Sequence, residues 1–241
     1  ARLQRIVQKL NQFSTADWVA VVLVAAAFFL RFYNLEDSQQ FLGDQGRDAI
    51  VVSRMFVEKD PVFIGPITSV GDIYLGPLYY YFMLPFLWLS YPSPMGPIYA
   101  IAFVGVLTVA LMYWLGRRMA GERVALIAAT MFAFSGIAVV YSRFSWNPNP
   151  APLVSLLMVF FTWKAWRGNF HSWIAVAVCF SALIQLHYIN LITAGGAASV
   201  WLLSFLQQRN NRVRLKALLK NTLLATLVML LSFLPLFLFD L

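Results

Sequence analysis

Long apolar runs alternate with short polar stretches along most of this chain. The runs that approach the length of a bilayer span cover 18–34, 97–116, 123–141, 151–166, 172–188, 191–206 and 217–238. A helix needs about twenty mostly apolar residues to cross the hydrocarbon core, and the alternation typical of membrane strands is absent. The pattern therefore predicts an all-α polytopic membrane protein with about seven transmembrane helices.

The segment 76–91 fits this pattern less simply, because it is short for a span and contains Pro85. If it only dips into the membrane, most of the basic residues lie in cytoplasmic loops. If it crosses, every later loop reverses and the basic cluster at 209–220 faces outward, against the positive-inside rule. We therefore predict that 76–91 does not cross.

This topology makes residues 35–91 an outer loop that carries two juxtamembrane helices, at 44–58 and 76–91. The N-terminus is then cytoplasmic, and residues 1–241 form a single transmembrane domain. Because the chain starts without Met and stops just after an apolar run, we expect it to be the N-terminal part of a longer protein.

Composition supports the membrane assignment. The chain is 61% hydrophobic and 12% charged, about half the charged fraction of a soluble domain. In a membrane protein the net charge of +8 indicates basic cytoplasmic loops, so we expect the lipid bilayer as a partner and no nucleic acid. A single cysteine, Cys179, allows no disulfide within the chain and no thiolate metal cluster.

Four polar groups are predicted to meet at the outer surface although they lie far apart in sequence, at 44–48, 71–81, 141–149 and 185–190. Charged residues at membrane depth are costly and usually serve a function. This convergence predicts a functional site, whose candidate residues are Asp44, Arg47, Asp48, Asp72, Tyr79, Arg143, Asn147, His187 and Tyr188.

Several of these residues also have a purely structural interpretation. Asp44 follows a glycine and fits the N-cap of the helix predicted to begin there. Asp48 can pair with Arg47 or Arg54, and Arg143 fits a residue that snorkels to the interface. A histidine such as His187 is more often hydrogen-bonded at a helix end than used as a ligand or base.

The other candidates leave similar alternatives open. Asn147 precedes a proline and fits a turn, as does Asp72 after a glycine, and Tyr79 fits an aromatic belt. The chain contains no HExxH or CxxC motif and no phosphate-cradling glycine loop. Spacing therefore does not predict a metal site, and the need for a divalent metal stays open.

The order of several short motifs resembles the first half of a GT-C-fold glycosyltransferase. The closest resemblance is to the family of protein O-mannosyltransferases and the bacterial lipid A aminoarabinose transferase. It rests on Arg-Phe-Tyr-Asn-Leu after the first span, Asp-Gln in the outer loop, Pro-Leu-Tyr-Tyr-Tyr, Leu-Gly-Arg-Arg-Met-Ala-Gly-Glu-Arg and Tyr-Ser-Arg, at 31–35, 44–45, 77–81, 115–123 and 141–143.

The resemblance implies inverting transfer of a sugar from a polyprenyl-phosphate donor to an acceptor hydroxyl at the non-cytosolic membrane face. Asp44 matches the acidic catalytic residue of the family. The chain departs from the family at Gln45, where a Glu is usual. It also departs at Leu75-Gly76-Pro77, which replaces His-Pro-Pro, and Gly76 stands where some relatives have a lysine.

In that mechanism Asp44 takes the proton of the attacking hydroxyl as general base. Arg143 and Arg47 are the candidates for holding the departing phosphate, because a guanidinium binds phosphate through two donors. Asn147, His187 and Tyr188 are candidates for the sugar hydroxyls, and the acceptor itself is not predicted.

Two other functions compete with the transferase. A transporter or lipid flippase would carry charges along a path through the bundle, whereas the charges here cluster at one surface. A seven-span receptor or scaffold would not need a charged loop directly after the first span. We expect an integral protein of the bacterial cytoplasmic membrane, or of the endoplasmic reticulum for a eukaryotic source, with the active site facing outward.

Overall fold

The computed structural model describes residues 13–41, 43–68 and 73–239, with Leu238 described by its backbone alone. In chain order the helices are α1 (Thr15–Phe32), α2 (Gly43–Val57), α3 (Leu78–Ser90), α4 (Met95–Ala120), α5 (Glu122–Phe134), α6 (Gly136–Tyr141), α7 (Ala151–Trp166), α8 (Ser172–Leu186), α9 (Ile192–Gln208), α10 (Arg212–Ser232) and α11 (Leu234–Phe239), with a 3-10 helix over Tyr188–Leu191. Within these ranges there is no strand, only one isolated bridge between Ile67 and Tyr74. The all-α prediction is confirmed.

Among the described residues, four helical segments are long and apolar enough to cross a membrane: α1, α4, α10, and the 3-10 helix taken together with α9. The apolar helices α7 and α8 are shorter, with 16 and 15 residues. The membrane character inferred from the sequence is thus supported by the length and composition of the helices.

The run at 123–141 is not one helix, as the sequence pattern predicted, but two. Helix α5 ends at Phe134 and α6 begins at Gly136. Ser135 has an extended backbone, and its side chain accepts a hydrogen bond from the Ala138 amide, which is the geometry of an N-cap. The serine therefore ends one helix and starts the next.

The chain divides into two compact units. The first contains Ala1–Gln39 and Ile101–Phe144, so it holds α1, most of α4, α5 and α6. In its core α5 presents a row of buried alanines at four-residue spacing, and α1 contributes two more. The small residues in this core are Ala20, Ala27, Ala125, Ala129 and Ala133. Small side chains let the backbones of membrane helices approach closely, so this face suits tight helix packing.

Arg31, in the last turn of α1, is fully buried within the first unit. Its guanidinium donates hydrogen bonds to the Ala133 and Phe132 carbonyls of α5, at 3.3 and 3.4 Å. It also donates to Ala27 O and Ser142 Oγ, both at 3.3 Å. Since the C-terminal end of a helix carries partial negative charge, Arg31 stabilises the end of α5 where the helix breaks.

The second unit contains Gln40–Ala100 and Ser145–Leu241. Its apolar core lies among α7, α8, α9 and α10 and includes Met158, Trp173, Leu183 and Leu218. Helix α3 has 13 residues with Pro85 inside it. At 1.5 Å per residue α3 is about 20 Å long, shorter than the hydrocarbon core of a bilayer.

Candidate functional site

The charged residues of the first outer loop lie at the start of α2. The sequence predicted a helix at 44–58 capped by Asp44, but α2 begins one residue earlier, at Gly43, so Asp44 lies in the first turn. A carboxylate in that turn interacts favourably with the helix dipole. The Asp44 side chain is 54% exposed, and Arg47 Nη1 lies 3.0 Å from its Oδ1.

Asp48, one turn further along α2, is buried, with 1% of its side chain exposed. Its Oδ1 accepts hydrogen bonds from Arg47 Nε at 2.9 Å, Arg47 Nη2 at 2.8 Å and the Tyr80 hydroxyl at 3.3 Å. Its Oδ2 is buried without a hydrogen-bond partner in the described ranges. Burial raises the pKa of Asp48, although the hydrogen bond and charge of Arg47 act in the opposite direction.

Arg47 bridges the two carboxylates and is the central cation of this group. Its own pKa is raised, because the hydrogen bond and charge of Asp48 outweigh the lowering effect of burial. A guanidinium has five N–H donors, and the contacts with Asp44 and Asp48 use three of its N–H groups. One N–H on each terminal nitrogen is not used by the carboxylates, and the guanidinium also interacts with the Tyr80 hydroxyl.

The first turn of α3 connects α2 to a loop from the other end of the sequence. Tyr80 reaches Asp48, while Tyr79 is completely buried and its hydroxyl lies 2.7 Å from Ser145 Oγ. The Ser145 amide in turn donates to Gln45 Oε1 at 3.4 Å. Tyr79, predicted as a substrate-binding residue, therefore makes a buried hydrogen bond that holds the loop after α6 against α2 and α3.

The same loop is joined to the end of α8. Asn147 is buried, and its side-chain amide donates to the Leu186 carbonyl. A Cβ at Gly76, just before α3, would collide with the side chain of Gln185. The side chain of Gln185 thus fills the space in which a longer residue at position 76, such as lysine, would have to fit.

His187 ends α8 and has a structural role in the turn that follows. Its Nδ1 accepts a hydrogen bond from the Ile189 amide at 3.3 Å, so in the neutral ring the proton is on Nε2. The rings of His187 and Tyr188 stack with centroids 4.8 Å apart. Tyr188 is 43% exposed, so it is more accessible than His187, which is half-buried.

Arg143 belongs to the first unit. Its Nη1 donates to the Leu30 and Arg31 carbonyls at 2.9 and 3.2 Å, and its Nη2 to Ser38 Oγ at 2.7 Å and the Asn34 carbonyl at 3.3 Å. These acceptors are neutral and surround the C-terminal end of α1, so Arg143 caps that helix. Its predicted contact with phosphate stays a prediction.

The remaining sequence prediction, Asp72, lies outside the described residues. Within the described ranges, no three His, Cys, Asp or Glu side chains come together as metal ligands do. The described parts of all four predicted polar groups contribute residues to the second unit, and hydrogen bonds or close packing join them there. We refer to Asp44, Gln45, Arg47, Asp48, Gly76, Tyr79, Tyr80, Ser145, Asn147 and Gln185 as the polar cluster.

The sequence did not predict Gln45, Tyr80, Ser145 or Gln185 as site residues. Gln45 and Tyr80 adjoin predicted residues along helices, where neighbours point in different directions and only geometry assigns each a partner. Ser145 and Gln185 lie within polar stretches that the sequence analysis did identify. The available signal was therefore the polar stretch itself, not the individual residue.

Comparison with known proteins found no matching family, no matching curated protein and no matching solved structure. The resemblance to GT-C glycosyltransferases therefore remains a prediction from short motifs.

Proposed function

We propose that this chain is part of a membrane glycosyltransferase that moves a sugar from a polyprenyl-phosphate donor to an acceptor hydroxyl. In this proposal the apolar helices form the seven-span layout predicted from the sequence, and the polar cluster faces the non-cytosolic side. The single observation that carries the proposal is an accessible carboxylate, Asp44, which forms an ion pair with Arg47. Arg47 is in turn held in place by the buried carboxylate of Asp48.

Asp44 is the candidate general base because its carboxylate is accessible, whereas that of Asp48 is buried. The acceptor oxygen attacks the anomeric carbon of the sugar and transfers its proton to Asp44. The bond between the anomeric carbon and the phosphate oxygen breaks, and polyprenyl phosphate leaves with the electron pair. Because attack and departure occur on opposite faces, the anomeric configuration inverts.

Arg47 is the candidate for the donor phosphate, since two of its N–H groups remain free of the carboxylates. Asp48 and Tyr80 hold the guanidinium in one orientation, as expected for a residue that must meet a phosphate in a fixed geometry. The side chain of Gln185 beside Gly76 supports this assignment, because it excludes a lysine at the position where some GT-C relatives carry one.

The test is Asp44→Asn in membranes that contain the full-length protein, supplied with polyprenyl-phosphate sugars. We expect release of polyprenyl phosphate to fall by about 10²- to 10⁴-fold, the usual contribution of a general base. Binding of the lipid-linked sugar should change little, because the amide keeps the shape of the side chain. Glu58→Gln removes an exposed carboxylate just after α2 and serves as the matched control. Near-normal turnover in Asp44→Asn would remove Asp44 from the mechanism.

A further inference from the structure

The end of the second unit that carries the α7–α8 and α9–α10 connections is strongly basic. Its cations are Lys164, Arg167, Arg209, Arg212, Arg214, Lys216 and Lys220, which we call the basic face. All except Lys164 are exposed. The chain has no Asp or Glu between residues 123 and 239, and none of the basic face forms a salt bridge within the described ranges.

The two connections form one continuous surface. The Arg214 guanidinium, at the start of α10, lies 5.9 Å from the centroid of the Phe170 ring in the α7–α8 connection. A Cβ at Gly168 would lie 2.6 Å from Arg214 Nη2, so the two segments are in close contact. The cations of both connections therefore belong to one surface.

Helix dipoles add to the positive potential at this end. Both α8 and α10 begin here, and neither has an acidic residue in its first turn. A helix N-terminus attracts anions and is usually stabilised by Asp or Glu. Here α10 begins with Arg212 and Arg214 instead, and only the neutral side chain of Asn211 caps the helix, so no carboxylate in its first turn neutralises this positive potential.

An apolar cavity of about 300 Å³ lies beside the basic face, among α7, α8, α9 and α10. Small side chains create it, since Ala177, Ala194, Ala197, Ala198 and Ala225 are among its lining residues. It reaches α10 at Thr222, eight residues after Arg214, which corresponds to about 12 Å along the helix axis. The headgroup region on one side of a bilayer is roughly 5–8 Å thick. The rest of the distance between Arg214 and the cavity is within the reach of an arginine side chain.

We propose that the basic face and this cavity together bind an anionic phospholipid of the bilayer. The cations hold the phosphate, and one acyl chain enters the alanine-lined cavity. Charge complementarity selects an anion, and the adjoining apolar cavity selects an amphiphile over free phosphate. The position supports a bilayer lipid, because α9 ends here and α10 begins here, and both belong to membrane-crossing candidates. Polybasic segments next to membrane helices bind anionic lipids in this way.

The test for the headgroup is lipid binding to the full chain purified in detergent, measured by native mass spectrometry with phosphatidylglycerol and phosphatidylcholine of identical acyl chains. We expect a preference for phosphatidylglycerol that Arg209→Gln/Arg212→Gln/Lys216→Gln weakens by about tenfold or more. The control Arg54→Gln/Lys59→Gln/Arg123→Gln removes the same charge from exposed positions elsewhere and should keep the preference. Equal binding of the two lipids, or equal loss in both variants, overturns the proposal.

The test for the acyl chain is Ala197→Phe, which fills the cavity, against Ser199→Phe, an exposed position on the same helix that does not line it. We expect Ala197→Phe alone to weaken phosphatidylglycerol binding. Ala194→Leu, a smaller change in the lining, is a second variant if Ala197→Phe lowers the melting temperature. Unchanged binding in both cavity variants, or displacement of the lipid by millimolar inorganic phosphate, shows binding by charge alone and overturns the proposal. None of these measurements depends on transferase activity.

Discussion

The two ends of the second unit hold their polar residues in opposite ways, although α8 runs between them. At the polar cluster, near Gln185, the side chains are mostly buried and each has a specific partner. At the basic face, near Trp173, the cations are mostly exposed and none meets a carboxylate in the described ranges. The first arrangement depends on the geometry of single atoms and the second on the number of charges, so single substitutions should affect the two ends very differently.

The largest effect should come from Gly76→Leu. A side chain at this position collides with the Gln185 side chain, so either Gln185 loses its buried position or the loop before α3 moves away from α8. Forcing a large side chain into a packed position costs about 1–3 kcal/mol, and occasionally more. We expect a fall of several degrees in the melting temperature of the purified protein. Gly195→Leu, at an exposed position with open space around it, is the control and should change stability far less.

Ser145→Ala should have an effect of at most similar size, which is specific to one hydrogen bond. It leaves the buried Tyr79 hydroxyl without its partner, at a cost of about 1–3 kcal/mol. Tyr79→Phe in the same chain removes the unpaired hydroxyl, so the double variant should recover part of the lost stability. Additive losses in the double-mutant cycle would show that this hydrogen bond does not hold the loop.

The pH dependence of stability should distinguish Asp48 from exposed carboxylates. Burial raises the pKa of Asp48 in the folded protein, so the folded state binds this proton more tightly than the unfolded state. Stability from this group is therefore present at low pH and is lost as the pH rises from the unfolded-state pKa through the folded-state pKa. As the pH rises from about 4 to 7, the wild type should lose stability that Asp48→Asn does not lose. The melting temperature of Asp48→Asn should therefore rise relative to that of the wild type.

Asp60→Asn provides the comparison for that measurement, because Asp60 is exposed just after α2. If Asp48→Asn behaves in the same way as Asp60→Asn, burial does not control the protonation of Asp48.

The sequence predicted most helices because apolar runs of the right length are a strong signal. The run 151–166 matches α7 without a shift, and α1, α4 and α8 lie within a few residues of their predicted limits. The break at Ser135 was not predictable from hydropathy, because apolar residues continue on both sides of it. The serine cap is a local contact three residues long, whereas the arginine from a distant helix that stabilises the break is a tertiary feature.

The polar cluster was predicted as a set of converging stretches, and the contact of Asp48 with Arg47 was the one pairing that the sequence suggested. Asp44 and Asp48 are one turn apart and carry the same charge, so sequence gave no reason to expect one exposed and the other buried. Packing around α2 and α3 makes that distinction. The contact between Gly76 and Gln185 likewise joins positions more than a hundred residues apart, which spacing in one sequence does not reveal.

Arg31 also bears on how the protein is made. Helix α1 is synthesised before α5, yet two of the carbonyls that hold its arginine belong to α5, about a hundred residues later. Until α5 emerges from the ribosome, this cation must stay in the aqueous interface, since an unpaired charge is costly within lipid. Gly105 leaves the room that the guanidinium needs, because a Cβ there would lie 2.7 Å from Arg31 Nε. Helix α1 can therefore take its final position only after α5 has been synthesised, and co-translational insertion must allow for that delay.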